Sequence, residues 1–88
     1  MKRTSKSLEE ILGPIPRYIE MEVDLCGDIS DKIDQLMRER GLSKKQLAEA
    51  LGRRPSEITK WLSGQHNFTI ATIAEISAFF GQSILKIV

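Results

Sequence analysis

Ser56, Thr59, Lys60 and Ser63 lie at spacings that put them on one face of a helix. Hydroxyls donate and accept hydrogen bonds, and an ammonium is a compact positive charge. This is chemistry for holding a polar or anionic surface, not for breaking bonds. No nucleophile–base pair, Gly-rich phosphate loop or metal-ligand cluster accompanies it. No catalytic residue, metal or cofactor is therefore expected, and the chain reads as a non-enzyme. His66, the only histidine, has no Cys, Asp or Glu at ligand spacing and is expected in a loop hydrogen bond. Every surface helix carries a polar stripe, so the meaning of this one depends on the elements that hold it.

Those elements are short and sharply punctuated. Ser43 caps a helix from Lys44 to Leu51 with Leu47, Ala48 and Leu51 inward, and Gly52 breaks it. Pro55 suits the first position of a helix running to about Leu62, and Ser63-Gly64 ends it. Ile58 and Leu62 are placed to pack on Leu47 and Leu51, with Trp61 covering the core. After the loop Gln65-His66-Asn67-Phe68, Thr69 caps a helix from Ile70 to Phe80, with Ile70, Ile73, Ala74, Ile76 (or Ser77) and Phe80 inward and Gly81 beyond its end.

Upstream, Ser7-Leu8-Glu9-Glu10 is a capping-box pattern that predicts a short helix to about Leu12, stopped by Gly13-Pro14. Residues 17–26 fit two patterns. Ile19, Met21, Val23 and Leu25 alternate with acids as in a strand, whereas Tyr18, Leu25, Ile29, Ile33 and Leu36 fall on one helical stripe. The favoured reading is one helix from about Pro16 to Arg40, bent near Gly27. A firmer helix spans 28–40, with Asp28, Ser30 and Asp31 at its start and Arg38 and Arg40 at its end. Glu20, Glu22 and Asp24 read as a solvated face. The tail, residues 83–88, is apolar and reads as a strand or a docked arm.

The chain has 88 residues, the size of one domain, and 41% hydrophobic residues, ordinary for a folded protein. No apolar run approaches the roughly 18 residues of a membrane helix, and the N-terminus lacks the apolar region of a secretory signal. The single Cys26 cannot build a disulfide framework and reads as a small buried hydrophobe. These features point to a reducing, cytoplasmic setting. Net charge is +1 but unevenly spread: −3 over residues 1–31, +4 over 32–66 and zero over 67–88. The positive excess surrounds the polar stripe, as on a polyanion-facing surface. Lys44 and Lys45, cations at a helix start where they are otherwise unfavourable, are expected phosphate contacts. Arg53 and Arg54 either hold phosphates or form a solvated turn.

Two helices joined by a turn containing Gly are the helix-turn-helix plan. From about Ile29 to Gly81, roughly three-fifths of the chain, the sequence resembles the Cro/lambda-repressor-like (XRE) helix-turn-helix family. The resemblance rests on Leu47-Ala48, on Gly52 and Ile58 at fixed distances beyond Ala48, and on Trp61-x-x-Gly64. The run from Ser63 to Ala74 also resembles an antitoxin-like subset. The resemblance implies an all-α fold: a compact bundle of about five helices containing a lambda-repressor-like DNA-binding domain. It further implies a dimer that binds double-stranded operator DNA and regulates transcription. Pro55, Ser56, Thr59 and Lys60 occupy positions that face base edges in the family, with Glu57 near that edge. Lys44 occupies a phosphate position, and the loop Ser63, Gln65, His66 and Asn67 faces another phosphate. The family often has Gln, Asn or Arg where this chain has Pro55 and Ser56, which limits bidentate base readout to what Lys60 can do.

The expected organisation is an N-terminal extension over 1–27 that contacts a second copy or another partner, a helix-turn-helix domain over 28–81, and an apolar tail over 82–88. The expected function is sequence-specific DNA binding by a dimeric regulator of the repressor type. The alternative is an antitoxin that binds a protein toxin and autoregulates its operon.

Overall fold

A computed structural model describes residues 13–86. These residues hold four helices: α1 (Arg17–Arg40), α2 (Lys44–Leu51), α3 (Pro55–Trp61) and α4 (Ile70–Phe80). The expected short helix from Ser7 to about Leu12, which made the count about five, lies outside the described residues.

Of the two patterns in residues 17–26, the helical one prevails. α1 runs unbroken for 24 residues, with Pro16 at its N-cap. At 1.5 Å per residue it spans about 36 Å, most of the 43 Å long axis of the molecule. Asp28, Ser30 and Asp31 therefore do not start a helix. They lie inside α1, and Ser30 is buried. Arg17–Glu20 (3.5 Å) and Asp34–Arg38 (3.0 Å) pair along its surface. Ile29, Ile33, Leu36 and Met37 form its buried stripe.

The remaining boundaries follow local chemistry. Ser43 Oγ accepts the Gln46 N–H at 3.1 Å, and Gln46 Oε1 accepts the Ser43 N–H at 2.8 Å, a closed capping box. Gly52 sits at φ +65°, and the following N–H of Arg53 returns to the Ala48 carbonyl at 2.8 Å. Only a residue without Cβ adopts that turn without strain, and the turn sets the angle between α2 and α3. Thr69 Oγ1 accepts the Thr72 N–H at 3.1 Å and caps α4.

One core joins all four helices: Ile29, Ile33, Leu36 and Met37 of α1, Leu47 and Ala48 of α2, Ile58 and Trp61 of α3, and Ile73, Ile76 and Phe80 of α4. Leu51 and Leu62 are half-buried against it. Two residues of α4 depart from expectation: Ile70 (73% exposed) and Ala74 face outward. α4 is apolar at most positions, so its pattern does not fix its phase, and packing selects Ile73, Ile76 and Phe80. Over its described residues, 83–86, the tail docks as an arm: Ile84 is buried, and its N–H donates to Ser77 Oγ at 3.1 Å. Arg40 closes the bundle, donating to the carbonyls of Phe79 (3.3 Å) and Phe80 at the end of α4, with its guanidinium carbon 5.1 Å from the Phe80 ring centre.

Candidate nucleic-acid interface

α3 has seven residues, too few to be stable alone. Its position is imposed by its inner face, where Ile58 and Trp61 are almost wholly buried. That burial turns Pro55, Ser56, Thr59 and Lys60 outward, and all four are exposed. The polar stripe is thus an accessible face on a helix held by the core.

α2 contributes beside it. Lys44 and Lys45 are exposed at its first turn, and Lys44 Nζ donates to Thr59 Oγ1 at 3.4 Å. The Thr59 hydroxyl in turn donates to the Pro55 carbonyl at 3.3 Å. The structure therefore joins a candidate phosphate contact and a candidate base contact across the two motif helices. Beside α3, a groove of about 410 Å³ is lined by Arg54, Ser56, Lys60, His66 and Thr72, together with Arg53, Glu57 and Trp61. Thr72, from α4, was not singled out from the sequence; a threonine one turn into an apolar helix carries no local signal.

The two neighbouring arginines differ. Arg54 is exposed at the N-cap of α3 and makes no capping bond through its side chain. Arg53 lies back along the surface against α3 and α4. Its Nη1 donates to Glu57 Oε2 at 3.2 Å, its Nη2 donates to Glu75 Oε2 at 3.1 Å, and its guanidinium carbon lies 5.6 Å from the Trp61 ring centre. Glu75 first and Glu57 second hold its charge more firmly than in a free arginine. Glu57, expected near the base edge, is thus turned toward Arg53.

In the loop after α3, Ser63 Oγ donates to the Lys60 carbonyl at 2.7 Å and accepts the Gln65 N–H at 3.1 Å. Gln65 and Asn67 are exposed, and the His66 ring packs edge-on to Phe68 with centroids 4.6 Å apart. Among the described residues, no three His, Cys, Asp or Glu side chains gather as metal ligands, and no helix is long and apolar enough to cross a membrane.

A second surface lies outside the motif. Tyr18, Met21 and Leu25 of α1, with Phe68, Ile70 and Leu85, line an apolar groove of about 470 Å³. Cys26 also borders it, half-buried instead of buried, and its thiol is pushed above the ordinary value by burial and by the Glu22 charge.

A family model described as Helix-turn-helix matches residues 33–87 of the chain. No curated protein and no solved structure matches it.

Proposed function

Because the chain belongs to the Cro/C1-type (XRE) helix-turn-helix family, whose members are DNA-binding transcription regulators, we propose that it is a dimeric repressor that reads a specific operator with α3. The observation that carries this reading is the geometry of α3: a buried Ile58–Trp61 face and an exposed Ser56–Thr59–Lys60 face beside the cations of α2. A helix fits the major groove, where hydrogen-bond donors and acceptors distinguish base pairs. Lys60 offers a donor to guanine acceptors. Ser56 offers a hydroxyl of either sense. Thr59, its hydroxyl engaged by Lys44 and Pro55, offers its methyl to thymine. Lys44, Lys45, Arg54 and the Ser63–Asn67 loop hold phosphates, which fix register but not sequence. The protein acts by binding, without cofactor or metal, in the cytoplasm.

With one lysine and small hydroxyls on the reading face, selectivity also depends on dimer spacing and DNA shape. A second reading, in which the protein also neutralises a protein toxin and autoregulates its operon, draws on the apolar groove of α1 and α4, which shares only Asn67 with the residues assigned to DNA.

Selection from random duplexes at low salt tests the reading. The expected product is a paired site whose half-sites lie about 34 Å apart, one DNA turn. Affinity falls steeply with salt as counterions are released. Lys60→Ala relaxes preference at one base position by about 1–3 kcal/mol, whereas Lys44→Ala weakens all duplexes alike. Failure to enrich any duplex refutes sequence-specific binding.

A further inference from the structure

The Arg53-Arg54 pair in the turn looks like two equivalent phosphate contacts, yet the structure separates them. We propose that Arg53 is a positioning residue that locks α3 against α4 for base reading and supplies no charge to DNA, while Arg54 is the phosphate-facing member. This inference rests on the DNA-binding reading and assigns a role within it.

The argument begins with what α3 lacks. A seven-residue helix with no side-chain N-cap depends on tertiary contacts for its orientation. Its apolar face fixes depth, but two apolar side chains leave rolling about the helix axis weakly restrained, since packing is not directional. Arg53 supplies a directional restraint. Its backbone N–H is bonded to the Ala48 carbonyl of α2. Its planar fork then reaches Glu57 on α3 and, 22 residues further along the chain, Glu75 on α4. Its flat face stacks near Trp61 at the far end of α3. One side chain thus touches α3 at two positions a turn apart and ties both to α4.

Isolated surface ion pairs contribute little, because solvent screens them and ordering them costs entropy. This one differs in that a single fork serves two carboxylates, so that, although all three groups reach solvent, one side chain restrains two helices at once. Lysine cannot reproduce the arrangement, being a point charge without a plane. A guanidinium already holding two carboxylates also has little positive potential left to attract a phosphate, whereas Arg54 beside it is exposed and, among the described residues, holds no carboxylate.

The test is a salt series on Arg53→Lys, Arg53→Gln, Arg54→Gln and Glu75→Gln, each measured on the selected operator and on an unrelated duplex. Thermal melts confirm that each variant is folded at the assay temperature. Arg54→Gln is expected to weaken both duplexes alike and to lower the slope of log K against log salt by about 1. Arg53→Lys is expected to keep the wild-type slope and the unrelated-duplex affinity but to lose about tenfold in operator preference, the size of a coupled pair. Glu75→Gln separates the proposal from simple electrostatics. Removing an acid should tighten binding to any polyanion, and the proposal predicts that operator preference nonetheless falls. Unchanged operator preference in Arg53→Lys overturns the proposal, as does a slope drop in Arg53→Gln equal to that of Arg54→Gln. If the wild-type protein binds no duplex, the DNA-binding reading fails and this assignment with it; binding with those variant results refutes this assignment alone.

Discussion

The N-terminal half of α1 places Tyr18, Met21 and Leu25 at helical spacing, much as the C-terminal half places Ile29, Ile33 and Leu36. The latter three are buried, whereas Tyr18 is 69% exposed and Leu25 and Met21 50% each. The chemistry of the two halves is alike; what differs is what faces them. Beyond Ile29 the stripe meets α2, α3 and α4 in the shared core. Before it, the neighbours are the edge of α4, Phe68 and the tail residue Leu85, which leave a groove. Apolar periodicity thus reports that a face is suited to burial, and the rest of the chain decides whether it is buried.

That contrast can be broken experimentally. Ile33→Ala should have the largest effect, about 2–5 kcal/mol of lost stability, through lost transfer free energy and a cavity. This is a large share of the roughly 5–15 kcal/mol that holds a domain together, and urea unfolding followed by circular dichroism measures it. A loss under about 1 kcal/mol would show that the C-terminal half is not the core it resembles. Leu25→Ala should cost under about 1 kcal/mol in dilute solution, because that side chain is already half in water. Sedimentation of Leu25→Glu sharpens the comparison. If the proposed dimer covers this half, the variant sediments as a monomer while its dilute melting curve stays close to wild type. A dimer that persists puts the dimer surface elsewhere.

The smallest effect concerns Cys26, between the two halves. Burial, and then the Glu22 charge, raise its thiol above 9.0, so the folded protein favours the neutral form. Alkylation at pH 8 should be slower in the folded chain than in urea. Because the folded value is the raised one, the associated stability is present below the unfolded value and is lost as pH rises through the folded one. Glu22→Gln should lower the midpoint of thiolate absorbance slightly; an unchanged midpoint would assign the shift to burial alone.

The legible parts of this molecule were those whose cause is local. Ser43, Gly52, Pro55, Thr69 and Gly81 each mark a helix boundary through their own backbone or capping chemistry, and the boundaries fall within a residue of them. Ile58 and Trp61 were legible because α3 has a single apolar side. The phase of α4 was not, because Ile70, Ala71, Ile73, Ala74 and Ile76 offer more apolar faces than one core can accept. Asp28, Ser30 and Asp31 imitate a helix start, yet the helix formers before them carry α1 straight through. At the candidate interface, the outward residues of α3 followed from its inward ones. The Arg53 arrangement did not, because Glu75 is far along the chain and only the packing of α4 brings it near.

Arg40 has a bearing on time as well as on structure. Its bonds to the Phe79 and Phe80 carbonyls join residues 39 and 40 positions apart, with the whole helix-turn-helix between them. A contact of that separation is entropically expensive until the intervening chain has ordered. Interactions absent from the transition state govern the rate of unfolding and hardly touch the rate of folding. A latch made after the transition state would lengthen how long each folded molecule lasts before it opens and leave nearly unchanged how quickly a new one forms, so unfolding and refolding rates of Arg40→Gln would show on which side of the barrier it closes.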